Sequence, residues 1–194
     1  AGNASTAGVS EFDLNNAGDT LTVDGISYTF PLVGLTVMVG DSVDGSSLFN
    51  QACVYGGPSN TLDDCGSPNA ATFESADAYN SDAGDGSTTL AASYDFDNGF
   101  TASVGFNTAG SHNNGVFTKE ASDAYALNAA YTGDTYGVSL TYANIEDNNG
   151  TDDSFTGINA YWTPDGFPSI SVGYEVGDDG SAATTADELT SYFV

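Results

Sequence analysis

The stretch "TLAASYDFDNGFTASVGF", residues 89–106, contains the pattern that decides the fold. From Leu90 every second side chain is apolar, and the alternation resumes after Asp97-Asn98-Gly99. Alternation with a period of two is typical of a β-strand whose two faces meet different surroundings. Asn-Gly between two alternating runs is a strong signal for a tight turn. The stretch therefore predicts a β-hairpin with one apolar face and one face of small and polar side chains.

The composition of the chain narrows the class of protein. Its 194 residues include 27 Asp or Glu and one Lys or Arg, which gives a net charge of −26. Nucleic acid is excluded as a partner, because binding to phosphates requires cationic side chains. The 24 Gly and the many Tyr and Phe residues indicate an all-β chain with frequent turns. The longest apolar run, residues 30–40, is too short for a transmembrane helix, so only β-strands could cross a bilayer.

The lengths of the connections alternate along the chain. The period-two pattern predicts about nine strands, and an up-and-down sheet of such strands places every short turn at one end and every long loop at the other. This asymmetry is typical of outer-membrane barrels, whereas soluble sandwiches use Greek-key crossings. The short connections are residues 31–34, 97–99, 133–134 and 163–168, and the long ones are residues 41–87, 107–122, 144–153 and 177–188.

The apolar face carries aromatic residues near the strand ends and aliphatic residues between them. Two aromatic rows around an aliphatic band are typical of a wall that faces lipid. The alternative is the inner face of a soluble β-sandwich, which also collects aromatic residues. If the apolar face contacts lipid, the polar face lies away from lipid, and a charged substitution at Ser103 or Ser139 is predicted to be tolerated. The side chains predicted to face lipid are Leu90, Val104, Leu127, Val138, Leu140 and Val172.

Four stretches carry a resemblance to a known family: "VDGISYTFPLVGLTVMVGD", "LFNQACVYGGPSNTLDDCG", "LAASYDFDNGFTASVGF" and "GINAYWTPDGFPSISVGYEVG". They resemble the barrel of cyanobacterial outer-membrane porins and are similar to the carbohydrate and iron-uptake porins of that group. The resemblance covers most of residues 19–194. It implies an antiparallel transmembrane β-barrel in the outer membrane, a homotrimer, and a passive channel for inorganic ions and small hydrophilic solutes.

The number of strands bears on the extent of the domain. Single-chain bacterial barrels have an even number of strands, and an open strand edge is untenable in hydrocarbon. Porins of this kind are also longer and carry a periplasmic domain. We therefore expect residues 1–194 to be part of a larger porin barrel domain.

The chain offers little for catalysis or cofactor binding. His112 lies in a polar loop without Cys or acidic neighbours at ligand spacing, and the paired carboxylates are all in polar loops. The EF-hand spacing fails around Gly150 and Gly180. We expect no catalytic residue, no specific metal site and no cofactor. The alternative function is an extracellular acidic β-sandwich, a surface or adhesin domain that binds calcium through irregular loops.

The two cysteines of the chain, Cys53 and Cys65, lie in the loop 41–87. An exported protein meets an oxidising compartment, and a zinc site would need more ligands than two cysteines supply. We therefore predict a disulfide between Cys53 and Cys65.

The loop 41–87 is too long for a simple hairpin connection, and long loops in compact domains are usually functional. The resemblance implies that it folds into the lumen and narrows the channel. The loop is acidic and has no Lys or Arg, and the strand face adds Asp95 and Glu175. Acidic rings attract cations, which predicts a cation-preferring channel, although the same acids could simply keep an exposed surface soluble. The predicted constriction residues are Asp41, Asp44, Asp63, Asp64, Glu74 and Asp95, with Asp63 and Asp64 held at the narrowest part by the disulfide.

Overall fold

A computed structural model describes residues 25–41, 43, 45–53, 88–108, 123–146, 152–178, 180 and 188–194. All its regular elements are β-strands, as the alternating pattern predicts. Among these residues none forms a helix of the length and hydropathy that a membrane span requires. The strands are β1 (Ile26–Leu32), β2 (Leu35–Asp41), β3 (Thr88–Asp95), β4 (Phe100–Thr108), β5 (Asp123–Thr132), β6 (Tyr136–Glu146), β7 (Asp152–Trp162), β8 (Ile170–Asp178) and β9 (Glu188–Phe193).

The nine described strands form one antiparallel sheet in the order β1-β2-β3-β4-β5-β6-β7-β8-β9. Each strand pairs with its neighbour in the sequence, so the prediction of an all-β, up-and-down antiparallel topology is confirmed. Short turns join β1 to β2, β3 to β4, β5 to β6 and β7 to β8 at one end of the sheet. We call this the short-turn end, and the opposite end the long-loop end.

Several strands extend further toward the long-loop end than the side-chain pattern predicts. The acidic loop was predicted over residues 144–153, but β6 continues to Glu146 and β7 begins at Asp152, which pair with each other. Main-chain hydrogen bonding does not require apolar side chains, so polar residues continue the ladder where the pattern has already ended.

The β3–β4 connection confirms the predicted hairpin and shows the geometry of its turn. The Phe96 N–H donates a hydrogen bond to the Phe100 carbonyl at 3.0 Å, which closes a three-residue loop. The left-handed conformations are at Asp97 (φ 58°) and Gly99 (φ 86°). Any Cβ at Gly99 would lie 2.6 Å from the carbonyl oxygen of Thr132, the last residue of β5. Glycine is therefore required there both by its φ and by this close approach.

The two faces of the sheet have the opposite exposure from that of an ordinary soluble sheet. On the apolar face the large side chains are exposed, with Leu127 at 53% and Leu140 at 52%, whereas on the polar face Asn128 is 4% exposed. A soluble protein normally covers its apolar side chains and leaves its polar side chains in water. The apolar face includes Leu90, Val104, Leu127, Val138, Leu140, Ile158 and Val172, and the polar face includes Ser93, Ser103, Asn128, Ser139, Thr141, Asn159 and Glu175.

Aromatic side chains of the apolar face contact one another near the short-turn end. The rings of Phe100 and Tyr131 have centroids 4.8 Å apart, and Tyr131 and Tyr136 follow at 5.5 Å. Toward the long-loop end, the rings of Tyr125 and Tyr142 are 6.4 Å apart. The structure thus places aromatic residues on both sides of the aliphatic middle of the apolar face, as the sequence predicts.

On the polar face, Gly137 supports the packing of an aromatic ring at the short-turn end. The ring of Tyr161 lies directly against Gly137, and its hydroxyl donates a hydrogen bond to the Gly133 carbonyl. A Cβ at Gly137 would meet the Tyr161 ring and would lie 2.8 Å from the Tyr131 carbonyl oxygen.

We expect Gly137→Ala to lower the free energy of unfolding by about 1–3 kcal/mol, because overpacking forces the ring or the backbone to move. Gly157→Ala is the matched control on the polar face, since its Cβ would make only an ordinary contact, 3.6 Å from Glu175 Oε2. Denaturant titration of both variants checks this expectation. Equal stability of the two variants would contradict the close packing of Tyr161 on Gly137.

Candidate functional site

The polar face is crossed by a segment of the connection between β2 and β3. We call this segment, which comprises Val43 and residues 45–53, the strap. Side chains of the five strands β3 to β7 donate hydrogen bonds to it. The strap runs diagonally, from the long-loop end at β3 and β4 toward the short-turn end at β5 and β7.

The first part of the strap is held by β3 and β4. The Val43 carbonyl accepts hydrogen bonds from Thr89 Oγ1 at 2.6 Å and from Asn107 Nδ2 at 3.0 Å. The Leu48 carbonyl accepts one from Ser103 Oγ at 3.1 Å. Thr89, Ser103 and Asn107 are all buried. Because buried carbonyls require donors, these hydroxyl and amide groups allow an irregular segment to lie against the sheet.

Asn128 of β5 holds the middle of the strap. Its Oδ1 accepts a hydrogen bond from the Asn50 N–H at 3.0 Å, and its Nδ2 donates one to the Asn50 carbonyl at 3.1 Å. Nδ2 also donates to Thr141 Oγ1 of β6 at 2.9 Å. The side-chain amide therefore pairs with Asn50 as a neighbouring peptide group would. A buried amide with all these partners is a strong positional constraint on the strap.

The last part of the strap is held by β6 and β7. The Gln51 carbonyl accepts a hydrogen bond from Ser139 Oγ at 2.8 Å, and Gln51 Oε1 accepts one from Asn159 Nδ2 at 3.2 Å. Beyond this point a cleft of about 410 Å³ lies between strap residues 49–53 and the side chains of Thr132 and Tyr161. These two residues are near the short-turn end, so the strap spans most of the height of the sheet.

Apolar packing adds to these hydrogen bonds at one place. Phe49 of the strap packs against a cluster of small and apolar side chains on the polar face of β5, β6 and β7. Phe49 thus covers small and apolar side chains that lie on the same face as the polar groups bonded to the strap. The cluster comprises Ala124, Ala126, Ala143, Ile145 and Phe155.

The position of the strap removes the reason for expecting that Ser103 and Ser139 tolerate a charged substitution. Ser103 and Ser139 were predicted to tolerate a charge because they belong to the polar face. The structure places both under the strap, at 6% and 2% exposure, with each hydroxyl bonded to a strap carbonyl. A long charged side chain at either position would displace the strap.

The predicted constriction residues are only partly described. Asp41 ends β2 at the long-loop end, opposite Thr88, whereas Asp95 ends β3 at the short-turn end. β3 has 8 residues, and the steps from Thr88 to Asp95 correspond to about 23 Å along the strand. The structure therefore does not bring Asp41 and Asp95 together. Asp44, Asp63, Asp64 and Glu74 lie outside the described residues.

The predicted disulfide involves the last described residue of the strap. Cys53 is disulfide-bonded, and Cys65, the other cysteine of the chain, lies outside the described residues. The pairing of these two cysteines stays a prediction.

Sequence reasoning missed the residues that hold the strap. The alternating pattern places Asn128, Ser139 and Asn159 on the polar face but assigns them no further role, and it does not single out Asn50 or Gln51. The signal that could have found them is the presence of amide side chains on β5 and β7. A channel wall or a solvent-exposed surface needs only small polar groups at these positions. The hydrogen bonds described above join the strap to uncharged side chains of the sheet.

Neither the comparison with known proteins nor the arrangement of potential metal ligands identifies the class of protein. No family model, no curated protein and no solved structure matches the chain. Within the described ranges, no group of three or more His, Cys, Asp or Glu side chains is placed to hold a metal ion.

Proposed function

We propose that the chain forms part of the wall of an outer-membrane porin, a passive diffusion channel for inorganic cations and small hydrophilic solutes. The single observation that carries this proposal is the reversed exposure of the two faces. The apolar face has a low free energy in hydrocarbon and a high one in water, whereas the polar face with its strap suits a water-filled path. The sequence resemblance to cyanobacterial porins supports the same function and adds a homotrimer as the expected assembly.

The arrangement of the apolar face supports a membrane position in detail. Aliphatic side chains occupy its middle, and the aromatic pairs near the two ends correspond to the two interfaces of a bilayer. Long loops at one end and short turns at the other match the external and periplasmic sides of outer-membrane barrels. On this proposal the strap enters the path from the external side and narrows it.

The proposal also implies that further strands pair with the two edges of the sheet. In the described residues β1 and β9 each pair with one strand only. They run in the same direction, because eight antiparallel steps separate them. A closed antiparallel barrel that contains these nine strands therefore needs an odd number of further strands between β9 and β1.

Trp162 tests the proposal, because it is the only tryptophan of the chain and lies on the apolar face beside the short turn to β8. It is 53% exposed. On addition of phosphatidylcholine vesicles, we expect its fluorescence to shift to shorter wavelength. Lipids brominated near the headgroup should quench it more strongly than lipids brominated near the bilayer centre, since tryptophan prefers the interface.

The other candidate, an acidic extracellular β-domain, predicts a different result. Such a domain stays soluble without detergent, and its tryptophan fluorescence does not respond to vesicles. The described strands form a single sheet with its apolar face exposed, whereas a sandwich would bury that face against a second sheet. Absence of both the fluorescence shift and lipid quenching would overturn the porin proposal.

A further inference from the structure

The apolar side chains of the apolar face lie at different positions along different strands. Main-chain pairing aligns residues in rows that run perpendicular to the strands. Followed from strand to strand, the row of Leu35 on β2 reaches Ile158 on β7. The apolar set of β7 therefore begins in the row where that of β2 ends, a displacement of four residues toward the short-turn end. The apolar residues of this face are Leu35, Val37 and Val39 on β2, and Ile158, Ala160 and Trp162 on β7.

At the long-loop end this displacement leaves polar side chains on the apolar face of the later strands. The row of Val39 contains Leu90 on β3, but Ser154 on β7 and Asp178 on β8. Asp178 is exposed. Residues of one row thus meet different surroundings on the two halves of the sheet.

The short-turn end is staggered in the same direction. The turn between β1 and β2 begins directly after the pair Leu32–Leu35. β7 continues four residues past the row of this pair, to Trp162, which pairs with Tyr136 and Ile170. Main-chain pairing sets this stagger, so it is independent of the side-chain polarity at the other end.

Aromatic contacts between β5 and β6 take the same diagonal step. Tyr131 pairs in register with Val138, but its ring lies 5.5 Å from that of Tyr136. Tyr125 pairs with Asn144, but its ring lies 6.4 Å from that of Tyr142. In both contacts the partner on β6 is two residues closer to the short-turn end than the residue in register. The two aromatic edges of the apolar face therefore run parallel to each other and oblique to the rows.

Two parallel oblique edges are expected where a planar layer crosses strands that are inclined to it. Four residues correspond to about 13 Å along a strand, and the five spacings from β2 to β7 to about 24 Å. The apolar band is therefore inclined by about 30° to the rows, close to the strand tilt of about 35–45° in closed barrels.

We propose that the hydrocarbon layer crosses the sheet obliquely, from residues 35–39 on β2 to residues 158–162 on β7. Ser154 and Asp178 then lie outside the hydrocarbon, in the polar headgroup layer at the long-loop end, although Leu90 of the same row lies inside it. This placement lowers the cost of the Asp178 carboxylate, because charges on a lipid-facing wall destabilise least near the interfaces. The inference rests on the proposed function and specifies which part of the face contacts which layer of the bilayer.

The experiment compares single tryptophans in phosphatidylcholine vesicles, with Trp162→Phe as the common background. Leu90→Trp and Ser154→Trp probe one row, and Ile158→Trp probes the position four residues along β7. Lipids brominated on the acyl chains should quench the tryptophans at 90 and 158 to a similar extent. The tryptophan at 154 should be quenched less by these lipids, and several-fold more by acrylamide, an uncharged quencher in the water that the acidic chain does not repel.

Strands perpendicular to the bilayer give a different order. The tryptophans at 90 and 154 would then respond alike, and the one at 158 would lie deeper; this result overturns the oblique boundary and leaves the porin proposal standing. A tryptophan at 154 that neither quencher reaches would overturn the headgroup contact, since another protein surface would cover it. Asp178→Trp, an exposed position of the same row, gives the same test if Ser154→Trp does not fold. If wild-type Trp162 does not respond to vesicles at all, the proposed function itself fails.

Discussion

Leu140→Arg is expected to lower the free energy of unfolding of the membrane-inserted protein by about 2–4 kcal/mol. Leu140 lies near the middle of β6, on the apolar face, where it pairs with Ala129 and Ile158. A guanidinium there would have to enter hydrocarbon or distort the bilayer around it. In water the same substitution would cost little, because the Leu140 side chain is 52% exposed. Denaturant titration in lipid vesicles measures the difference.

Two variants serve as controls for this substitution. Leu140→Ala shortens the same side chain without adding a charge, and Ser171→Arg places the charge on the polar face of β8, where the side chain is half-buried. Both should be less damaging than Leu140→Arg. Ser103 and Ser139 are unsuitable controls, because both are bonded to the strap. If Leu140→Arg and Ser171→Arg destabilise the protein equally, the apolar face does not contact lipid.

Asn128→Leu should destabilise the folded protein by about 2–5 kcal/mol, since each buried polar group without a partner costs about 1–3 kcal/mol. The substitution removes the partner of the Asn50 N–H, the Asn50 carbonyl and Thr141 Oγ1. Because Asn50 lies at the middle of the strap, the strap should detach from β5. On the porin proposal, detachment widens the path, and the single-channel conductance should rise. Denaturant titration and bilayer recordings measure the two effects.

Asn144→Leu is the matched control for Asn128→Leu, because it removes the same amide from the same sheet. Asn144 is paired with Tyr125 and lies on the face opposite the strap, where its Nδ2 donates a hydrogen bond to the Asp153 carbonyl. We expect a loss of about 1 kcal/mol and unchanged conductance. A wild-type conductance in Asn128→Leu would show that the strap does not narrow the path.

The regular part of the fold could be predicted because a β-strand imposes its period on the side chains. The strand predicted over residues 123–132 has the observed bounds of β5, since every second residue from Tyr125 to Tyr131 is apolar. The ends of β6 and β7 could not be predicted in this way. Glu146 and Asp152 pair through their main chains, and side-chain polarity does not report on that pairing.

The strap could not be predicted, for a related reason. It has no period, and most of the hydrogen bonds that the sheet donates to it end on main-chain carbonyls, which every residue has. The separation of Asp41 from Asp95, in contrast, was implied by the order of connections. Asp95 precedes a short turn and Asp41 begins a long loop, so an up-and-down sheet places them at opposite ends.

The strap differs from the sheet in the sequence distance over which its contacts form. Each strand pairs with the next strand along the chain, whereas the strap is bonded to residues between 46 and 108 positions later in the sequence. Contacts between distant parts of a chain form late, because the loop that joins them must first be closed. The surface that receives the strap also exists only once β7 has paired with β6. The hairpins should therefore assemble first with their polar face open, and docking of the strap should be the last and slowest step of folding.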